Sequence, residues 1–344
     1  MSEKIHYPFD AVPTGGTSVE VAPGVHWVRM PLPFKLDHIN LWVLDDADGL
    51  TIIDTGIDQP IVRENWQNLL AGPLGAKPLK RMIVTHFHPD HVGLAGWFEE
   101  QYDIALWMTL GEWGKARNLK LENTERSGTY LQRFYKKAGF DEKLLALITE
   151  RSESYPSRIT VPPAGIRRIH DGELIRIGDH DWQVIVGTGH SPEHACLYCK
   201  DLNVMISGDQ VLPRISPNIS IWPQEPTADP LSQFLDSLKR FNHLPDDLLV
   251  LPSHDWPFRG LHARLADLAH HHDDRLEETF NLCEKPVTAF QVLKGLFTRE
   301  LDSHQIFFAI GESLAHLHHL EAKGRLVRTD DMDGVTRFVQ VKPA

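Results

Sequence analysis

Residues 85 to 91 read Thr-His-Phe-His-Pro-Asp-His, and this run limits what the chain can fold into more than any other. It sets three imidazoles and one carboxylate between His86 and His91. Borderline nitrogen donors beside a hard oxygen donor are what a transition-metal site needs. Arg81 to Val84, just before it, reads as a buried strand, and Val92 to Glu100, just after it, reads as a helix. The donors therefore fall on a strand-to-helix loop, where function concentrates. Strand periodicity turns His86 and His88 to one side. Pro89 then bends the chain, so Asp90 and His91 face a second point.

Three further donors follow in a repeating context. His190 lies in the glycine-rich turn Gly187-Thr188-Gly189-His190, after an apolar run from Trp182 to Val186. Asp209 follows Asn203 to Ile206, in Ser207-Gly208-Asp209. His254 follows Leu248 to Leu251, in Pro252-Ser253-His254. Each ends an apolar run and opens a loop. Strand ends gathered on one edge of a sheet build a site from distant positions. One such histidine alone would more often be a core or capping residue; the ordered set argues for a metal site.

With these motifs the chain resembles the metallo-beta-lactamase superfamily. The matching segments are Thr51-Ile52-Ile53-Asp54-Thr55-Gly56, the His-x-His-x-Asp-His run, His190, Asp209 and His254. The resemblance covers roughly residues 20 to 275. It implies an α+β fold, a four-layer αββα sandwich with metals at one edge. By that resemblance His86, His88 and His190 hold one divalent ion, while Asp90, His91 and His254 hold a second. Asp209 bridges the two, and Asp54 orients ligands from behind by hydrogen bonds. The resemblance further implies a metal-bridged hydroxide attacking a carbonyl or phosphoryl centre. The second ion would stabilise the developing charge, and Asp90 would serve as ligand and as orienter of the attacking oxygen.

The ligand types narrow the field. A di-iron redox branch of this superfamily carries a carboxylate where this chain has His88; imidazole suits zinc and hydrolysis better, with manganese or iron compatible. Lactam-hydrolysing members lack the bridging aspartate that Asp209 supplies. A persulfide dioxygenase keeps a similar run but lacks a long C-terminal extension.

Composition points to an intracellular enzyme. The first residues, Met1-Ser2-Glu3-Lys4, lack the apolar stretch of a signal peptide, and no run is long enough to span a membrane. Three cysteines, Cys196, Cys199 and Cys283, suggest reduced thiols and a cytoplasmic home. The Cys196-x-x-Cys199 pair lies in an apolar run and reads as core. A formal net charge of −12 counts against a nucleic-acid substrate.

Around the catalytic core the sequence suggests three additions. Residues 1 to 19 contain Pro and Gly and lack periodicity, which predicts a loosely tied arm. Residues 108 to 159 form an insertion, with helices expected over Glu112 to Asn123 and Gly128 to Ser152. It is expected to serve as a lid or wall of a substrate pocket. The loop Val211 to Asp229 directly follows Asp209 and should rim the site. Its Ile215, Ile219, Ile221 and Trp222 are candidates for an apolar part of a substrate, and Arg214 for a carboxylate or phosphate.

The pattern changes near residue 286, giving a catalytic domain over 20 to 285 and a small domain over 286 to 344. Helices are expected over Thr288 to Phe297, with Thr288 as N-cap, over Ser303 to Ile310, and over Glu312 to Lys323, ended by Gly324. Two strands follow, Arg325 to Thr329 and Thr336 to Val341. This resembles a winged helix, as in the branch containing the beta-lactamase-like protein 2 family and glyoxalase II-like hydrolases. Its charges do not suit DNA: from 286 to 344 seven Lys and Arg balance seven Asp and Glu. A groove reader needs basic residues on its recognition helix and wing. A structural role is expected instead, in contact with a second copy of the chain or as a wall of the site. His270 to His272 and His316, His318 and His319 read as helix surface and helix packing rather than further metal sites.

The sequence thus predicts a binuclear metal-dependent hydrolase acting on a small carboxylic ester or thioester, with no nucleic-acid or membrane partner. The alternative is an endoribonuclease or phosphodiesterase of the same fold. A DNA-binding regulator with a vestigial core is disfavoured by the complete ligand set.

Overall fold

A computed structural model describes residues 5–72, 74–122, 124–148, 154–302 and 305–342. The chain divides into two compact units. The first comprises Met1–Leu121, Tyr155–Pro217 and Asn242–Leu265; the second comprises Glu122–Ser154, Asn218–Phe241 and Ala266–Ala344.

The first unit is built on two sheets. Strands β1 (Ser18–Ala22), β2 (Val25–Pro31), β3 (His38–Asp46), β4 (Gly49–Ile53), β5 (Leu79–Ile83), β6 (Ala105–Met108) and β7 (Arg167–Arg168) form a seven-stranded sheet in sequence order. Its first four strands are antiparallel neighbours; from β4 to β7 the pairing is parallel. Strands β8 (Leu174–Ile177), β9 (His180–Gly187), β10 (His194–Cys199), β11 (Val204–Gly208) and β12 (Leu249–Pro252) form the second sheet, ordered β12-β11-β10-β9-β8.

Two layers of core explain why these runs are strands. Trp27, Trp42, Ile53 and Ile83 of the first sheet meet Ile175, Trp182, Val184, Leu197, Ile206 and Leu251 of the second, all buried. Alternate residues of the first sheet, among them Val28, Leu41, Ile52 and Met82, pack on its other face. That face is covered by α1 (Pro60–Ala71), α3 (Ala95–Tyr102) and α4 (Leu110–Leu121), through Trp66, Phe98 and Ala116. Between β5 and α3 lies a single turn, α2 (Pro89–Val92). The second sheet is covered on its far face too, since Cys196, Met205 and Val250 are buried. Both faces of both sheets are therefore apolar, which is why the strands read as near-continuous hydrophobic runs. Each fully buried large aliphatic side chain contributes about 1.5–3 kcal/mol.

The N-terminal segment is better anchored than its composition suggests. His6 and Arg259 exchange backbone hydrogen bonds. Phe9 and Val12 pack on the inter-sheet core, with the Phe9 ring 6.1 Å from that of Trp27. Residues 1 to 4 of that expected arm lie outside the described residues.

The second unit gathers three separate stretches. It holds α5 (Thr124–Lys137), α6 (Glu142–Ala146), α7 (Pro230–Lys239), most of α8 (Leu261–Leu282), α9 (Ala289–Leu296) and α10 (Gln305–Ala322). A third sheet pairs β13 (Val287–Thr288) and β14 (Leu326–Asp330) on either side of β15 (Thr336–Gln340). Thr288 caps α9 as expected, in a reciprocal capping box with Gln291, an arrangement that contributes about 1 kcal/mol. Two expectations about helices are corrected. The separate helices over 303–310 and 312–323 are one continuous helix, α10, through Gly311. A Cβ at Gly311 would sit 2.7 Å from Ser220 Oγ, so this glycine serves close approach and not a break. The expected helix over Gly128 to Ser152 is two, α5 and α6, separated at Gly139 (φ 98°). Its expected end, Ser152, lies outside the described residues, as do Asn123 and Ser303. Tyr135 and Phe140 of this insertion pack on Phe307, with ring centroids 5.0 and 5.6 Å away.

Candidate metal centre

The seven expected donors meet at one edge of the two sheets. His86 and His88 lie just past β5, and Asp90 and His91 lie in α2. His190 lies between β9 and β10, Asp209 follows β11, and His254 follows β12. The sheets are stitched together there: Ala195 N donates to Thr85 O, and Asn40 N to Ser253 O. The turns need unusual backbone. Gly208 has φ 53°, and a Cβ there would sit 2.4 Å from the His194 ring. Asp54 (φ 63°) and Asp255 (φ 71°) also adopt left-handed conformations, which aspartate tolerates better than most side chains.

Donor atoms fall into two groups. His86, His88, His190 and Asp209 form one; Asp90, His91 and His254 form the other. In the first, His86 Nε2 lies 2.9 Å from His88 Nδ1 and 3.3 Å from His190 Nε2. Nitrogens on one tetrahedral zinc, at about 2.0–2.1 Å from it, stand roughly 3.3 Å apart. In the second, His254 Nε2 lies 3.5 Å from Asp90 Oδ2. Asp209 divides its oxygens. Oδ2 is 3.5 Å from His190 and 3.9 Å from His86, whereas Oδ1 is 3.5 Å from both His91 and His254.

The outer partners of the imidazoles decide which nitrogen carries the proton. His91 Nδ1 donates to Asp54 Oδ2 at 2.8 Å, and His254 Nδ1 donates to His38 O at 2.9 Å. The Thr85 hydroxyl donates to Asp54, so it accepts from His86 Nδ1 at 3.0 Å. The Nε2 atoms of all three thereby face inward, and each is a lone pair when its ring is neutral. Among the described residues, His88 Nε2, His91 Nε2 and Asp209 Oδ1 are buried with no hydrogen bond. Inward lone pairs and an unsatisfied carboxylate oxygen are a donor set for cations, and the residues fit the two divalent ions that the ligand pattern implies.

Electrostatics agree. Burial drives His86 and His88 well below the usual imidazole range, with neighbouring imidazoles adding to it. Burial would lower His91 as well, but Asp54, Asp209 and Asp90 outweigh it and hold His91 well above that range. Burial would raise Asp209, yet His254 and His91 keep its carboxyl well below the ordinary value. The centre is thus divided between neutral imidazoles and a side where carboxylates call for positive charge.

Asp54, at 1 % exposure, accepts from Thr85 N at 2.7 Å as well as from His91. Arg214 is exposed; its Nε is 3.2 Å from Asp255 and its guanidinium stacks on Tyr7. Of the expected loop contacts, Ile219 and Ile221 are buried and Ile215 is exposed. Sequence reasoning missed several outer residues. Thr85 joins Asp54 to His86, and His194 Nε2 accepts from Asp209 N at 3.1 Å. Glu112 is fully buried in α4, and burial pushes its carboxyl up to about 7 against the donors it accepts. Nothing local marks these residues; they sit on elements whose approach only the fold arranges.

The model of the metallo-beta-lactamase superfamily matches residues 35–254. The chain belongs to this superfamily. As a member it is a metal-dependent hydrolase with a mixed α+β metallo-beta-lactamase fold. A second family model, the metallo-beta-lactamase-like C-terminal domain, matches residues 276–341. A beta-lactamase domain protein from Burkholderia ambifaria is similar across the chain: 43% identity, 98% of each chain covered, TM-score 0.91. A probable metallo-hydrolase, YqjP of Bacillus subtilis, is 25% identical over 86% of this chain and 92% of its own. An acyl-coenzyme A thioesterase, MBLAC2 of Gallus gallus, is 25% identical over 55% of this chain and 63% of its own. Among the described residues no helix is long and apolar enough to cross a membrane.

Proposed function

We propose that this superfamily member is a two-ion hydrolase of small carboxylic esters or thioesters. One observation carries the two-ion reading: Asp209 turns one oxygen to His86 and His190 and the other to His91 and His254. His86, His88 and His190 would hold one ion and Asp90, His91 and His254 the other, with zinc the best match to the imidazole-rich set. When bound, the ions supply a water ionised near neutrality and a positive field for developing negative charge.

The chain's own residues do the rest. Asp90 is only partly buried, and its Oδ2 faces His254, so it can orient the attacking water and accept its proton. Asp54 and Thr85 keep His86 and His91 turned inward. Arg214, held beside His254 through Asp255, is the proposed contact for a carboxylate or phosphate on the substrate. The thioester class draws on the distant likeness to the acyl-coenzyme A thioesterase.

The segment 286–344 is proposed to be a winged helix without a nucleic-acid role. Within it β13, α9, α10, β14 and β15 follow in that order, with β15 central in its sheet, and α8 just before it supplies a third helix; this order supports the winged form. Three of its four arginines pair with acids of the same chain: Arg325 with Glu277, Arg328 with Glu321, and Arg337 with Asp331 and Asp333. A placement near the beta-lactamase-like protein 2 and glyoxalase II-like branch is consistent with that appendage.

The deciding experiment loads the full chain with Zn, Mn or Fe and offers acyl-thioesters, lactones, phosphodiesters and single-stranded RNA. Elemental analysis should give two ions per chain, and thioester or ester cleavage should dominate. One ion after supplementation, or preferential RNA cleavage, would overturn the reading. Anisotropy with labelled duplex DNA and RNA at about 50 mM salt should show no binding that weakens steeply with salt.

A further inference from the structure

Phe87 lies between two metal donors, His86 and His88, and its peptide groups are held from both sides. Its N–H donates to Glu112 Oε2 at 2.9 Å, and its carbonyl accepts from the Tyr155 hydroxyl at 2.6 Å. The other oxygen of Glu112, Oε1, accepts from Ser191 Oγ and from Glu193 N, both at 2.6 Å. One carboxylate thus ties the loop of His86 and His88 to the loop of His190. The Phe87 ring packs against Tyr155, centroids 6.1 Å apart, with Lys115 Nζ 4.8 Å from its own centroid.

A carboxylate at 0 % exposure is costly unless its oxygens are satisfied. A leucine or methionine would fill the same space without that cost, so packing alone does not account for an acid here. Three donors converge on it: the Phe87 N–H between His86 and His88, and Ser191 Oγ and Glu193 N, one and three residues past His190. The Phe87 peptide groups join His86 to His88, so freeing them would loosen the spacing of the two rings, and loss of the Ser191 and Glu193 contacts would free the turn that carries His190. Among the described residues neither Glu112 nor Tyr155 hydrogen-bonds to a ligand nitrogen; Tyr155 acts through the Phe87 carbonyl, and Glu112 through two backbone N–H groups and the Ser191 hydroxyl.

We propose that Glu112 and Tyr155 are positioning residues that clamp the Phe87 backbone and so set the spacing of His86, His88 and His190. The inference rests on the metal-binding reading of those histidines. It also gives the insertion a second role. Glu112 and Tyr155 stand at its two roots, so a segment expected as a lid also builds the metal centre from behind.

The test uses the full chain and three variants: Glu112→Gln, Tyr155→Phe and His190→Ala. Zinc affinity is measured by competition with a chromophoric chelator, and cobalt is bound for its absorption spectrum. Glutamine keeps the shape but cannot accept from Phe87 N and from Ser191 and Glu193 at once. Glu112→Gln should weaken one zinc site by about 10- to 100-fold, the range for partners behind metal ligands, and shift the cobalt bands. Tyr155→Phe should do the same to a smaller degree, and melting of the metal-free protein should change little in either. Wild-type affinity and spectrum in both, beside a lost ion in His190→Ala, would overturn the clamp alone. Undiminished zinc binding by His190→Ala would overturn the ligand assignment and the clamp with it. If Glu112→Gln does not fold, Tyr155→Phe decides, since it removes a single oxygen.

Discussion

In the first compact unit, His86, His91 and His254 each give their Nδ1 proton to an outer partner and turn Nε2 toward carboxylates. In the second unit, His272, His316, His318 and His319 are also buried, but their nitrogens look elsewhere. His316 Nδ1 donates to Glu312 O one turn back, and its Nε2 lies 3.4 Å from His272 Nδ1. His318 Nδ1 faces Ala228 O, and His319 Nδ1 lies 3.2 Å from Asp229, the N-cap of α7. Density of histidine is similar in the two regions, and their chemistry is not. A metal centre needs lone pairs left over after the outer partners are served; the helix-borne group spends its nitrogens on caps and on one another.

That contrast can be broken most sharply at Asp90. Asp90→Ala should lower turnover by about 10²- to 10⁴-fold while thermal melts stay close to wild type, since the side chain is partly exposed and packs no core. Near-normal turnover would remove Asp90 from the chemistry. In the second unit, the pair His272→Phe and His316→Phe should leave metal content at the wild-type value. Loss of an ion from that variant would make the second histidine group a metal site after all.

Excision separates the regions next. Removing residues 108 to 159 takes Glu112 and Tyr155 away from the Phe87 backbone, so zinc affinity should fall along with any change in substrate preference. Removing only 122 to 154 spares both, yet strips Tyr135 and Phe140 from Phe307. The second deletion should retain the first unit's zinc affinity more fully and lose more of the second unit's cooperative melting. Equal zinc loss in the two would place the effect in the hairpin and not in its roots. Gly208→Ala should cost stability on the order of 1–3 kcal/mol from the left-handed backbone, and more from contact with the His194 ring. A melt unchanged from wild type would show that this turn relaxes.

The smallest expected effect is one of pH. Burial lowers His272 to about 3 and His316 to about 4, with Arg275, His271 and His319 nearby adding to it. The unfolded chain takes up these protons near 6.5 and the folded chain refuses them, so stability is full above 6.5 and falls as pH drops toward 4. Glu312, pushed by burial up to about 7, has the opposite sign: its contribution is present below 4.5 and is lost as pH rises through 7. The His272→Phe, His316→Phe pair should therefore melt less differently at pH 5 and pH 7.5 than wild type does. An unchanged difference would move acid sensitivity to other groups.

The amino-acid sequence alone singled out the seven candidate donors, because each sits where an apolar strand ends and a turn begins. Strand, turn chemistry and donor type are local properties, and a buried sheet writes them as short hydrophobic runs. The Thr288 cap was equally legible, since Thr288 and Gln291 are three residues apart. What the sequence placed wrongly were boundaries set by distant partners. The helices expected over 303 to 310 and 312 to 323 are one, and Gly311 between them lets α10 approach Ser220. The arm before β1 looked loose, but His6 finds Arg259, and Phe9 finds Trp27.

Glu112 and Tyr155 belong to the same class. They reach Phe87 across 25 and 68 residues, and nothing in their own neighbourhoods announces it. Which atom of a donor faces the metal, and what holds it there, depends on the backbone groups that the fold happens to bring within hydrogen-bond reach. Sequence therefore determined which candidate donors the chain offers and in what order. Only the tertiary structure decided their spacing, their tautomers and the carboxylate behind them, because hydrogen bonds act over ångströms in space and carry no mark along the chain.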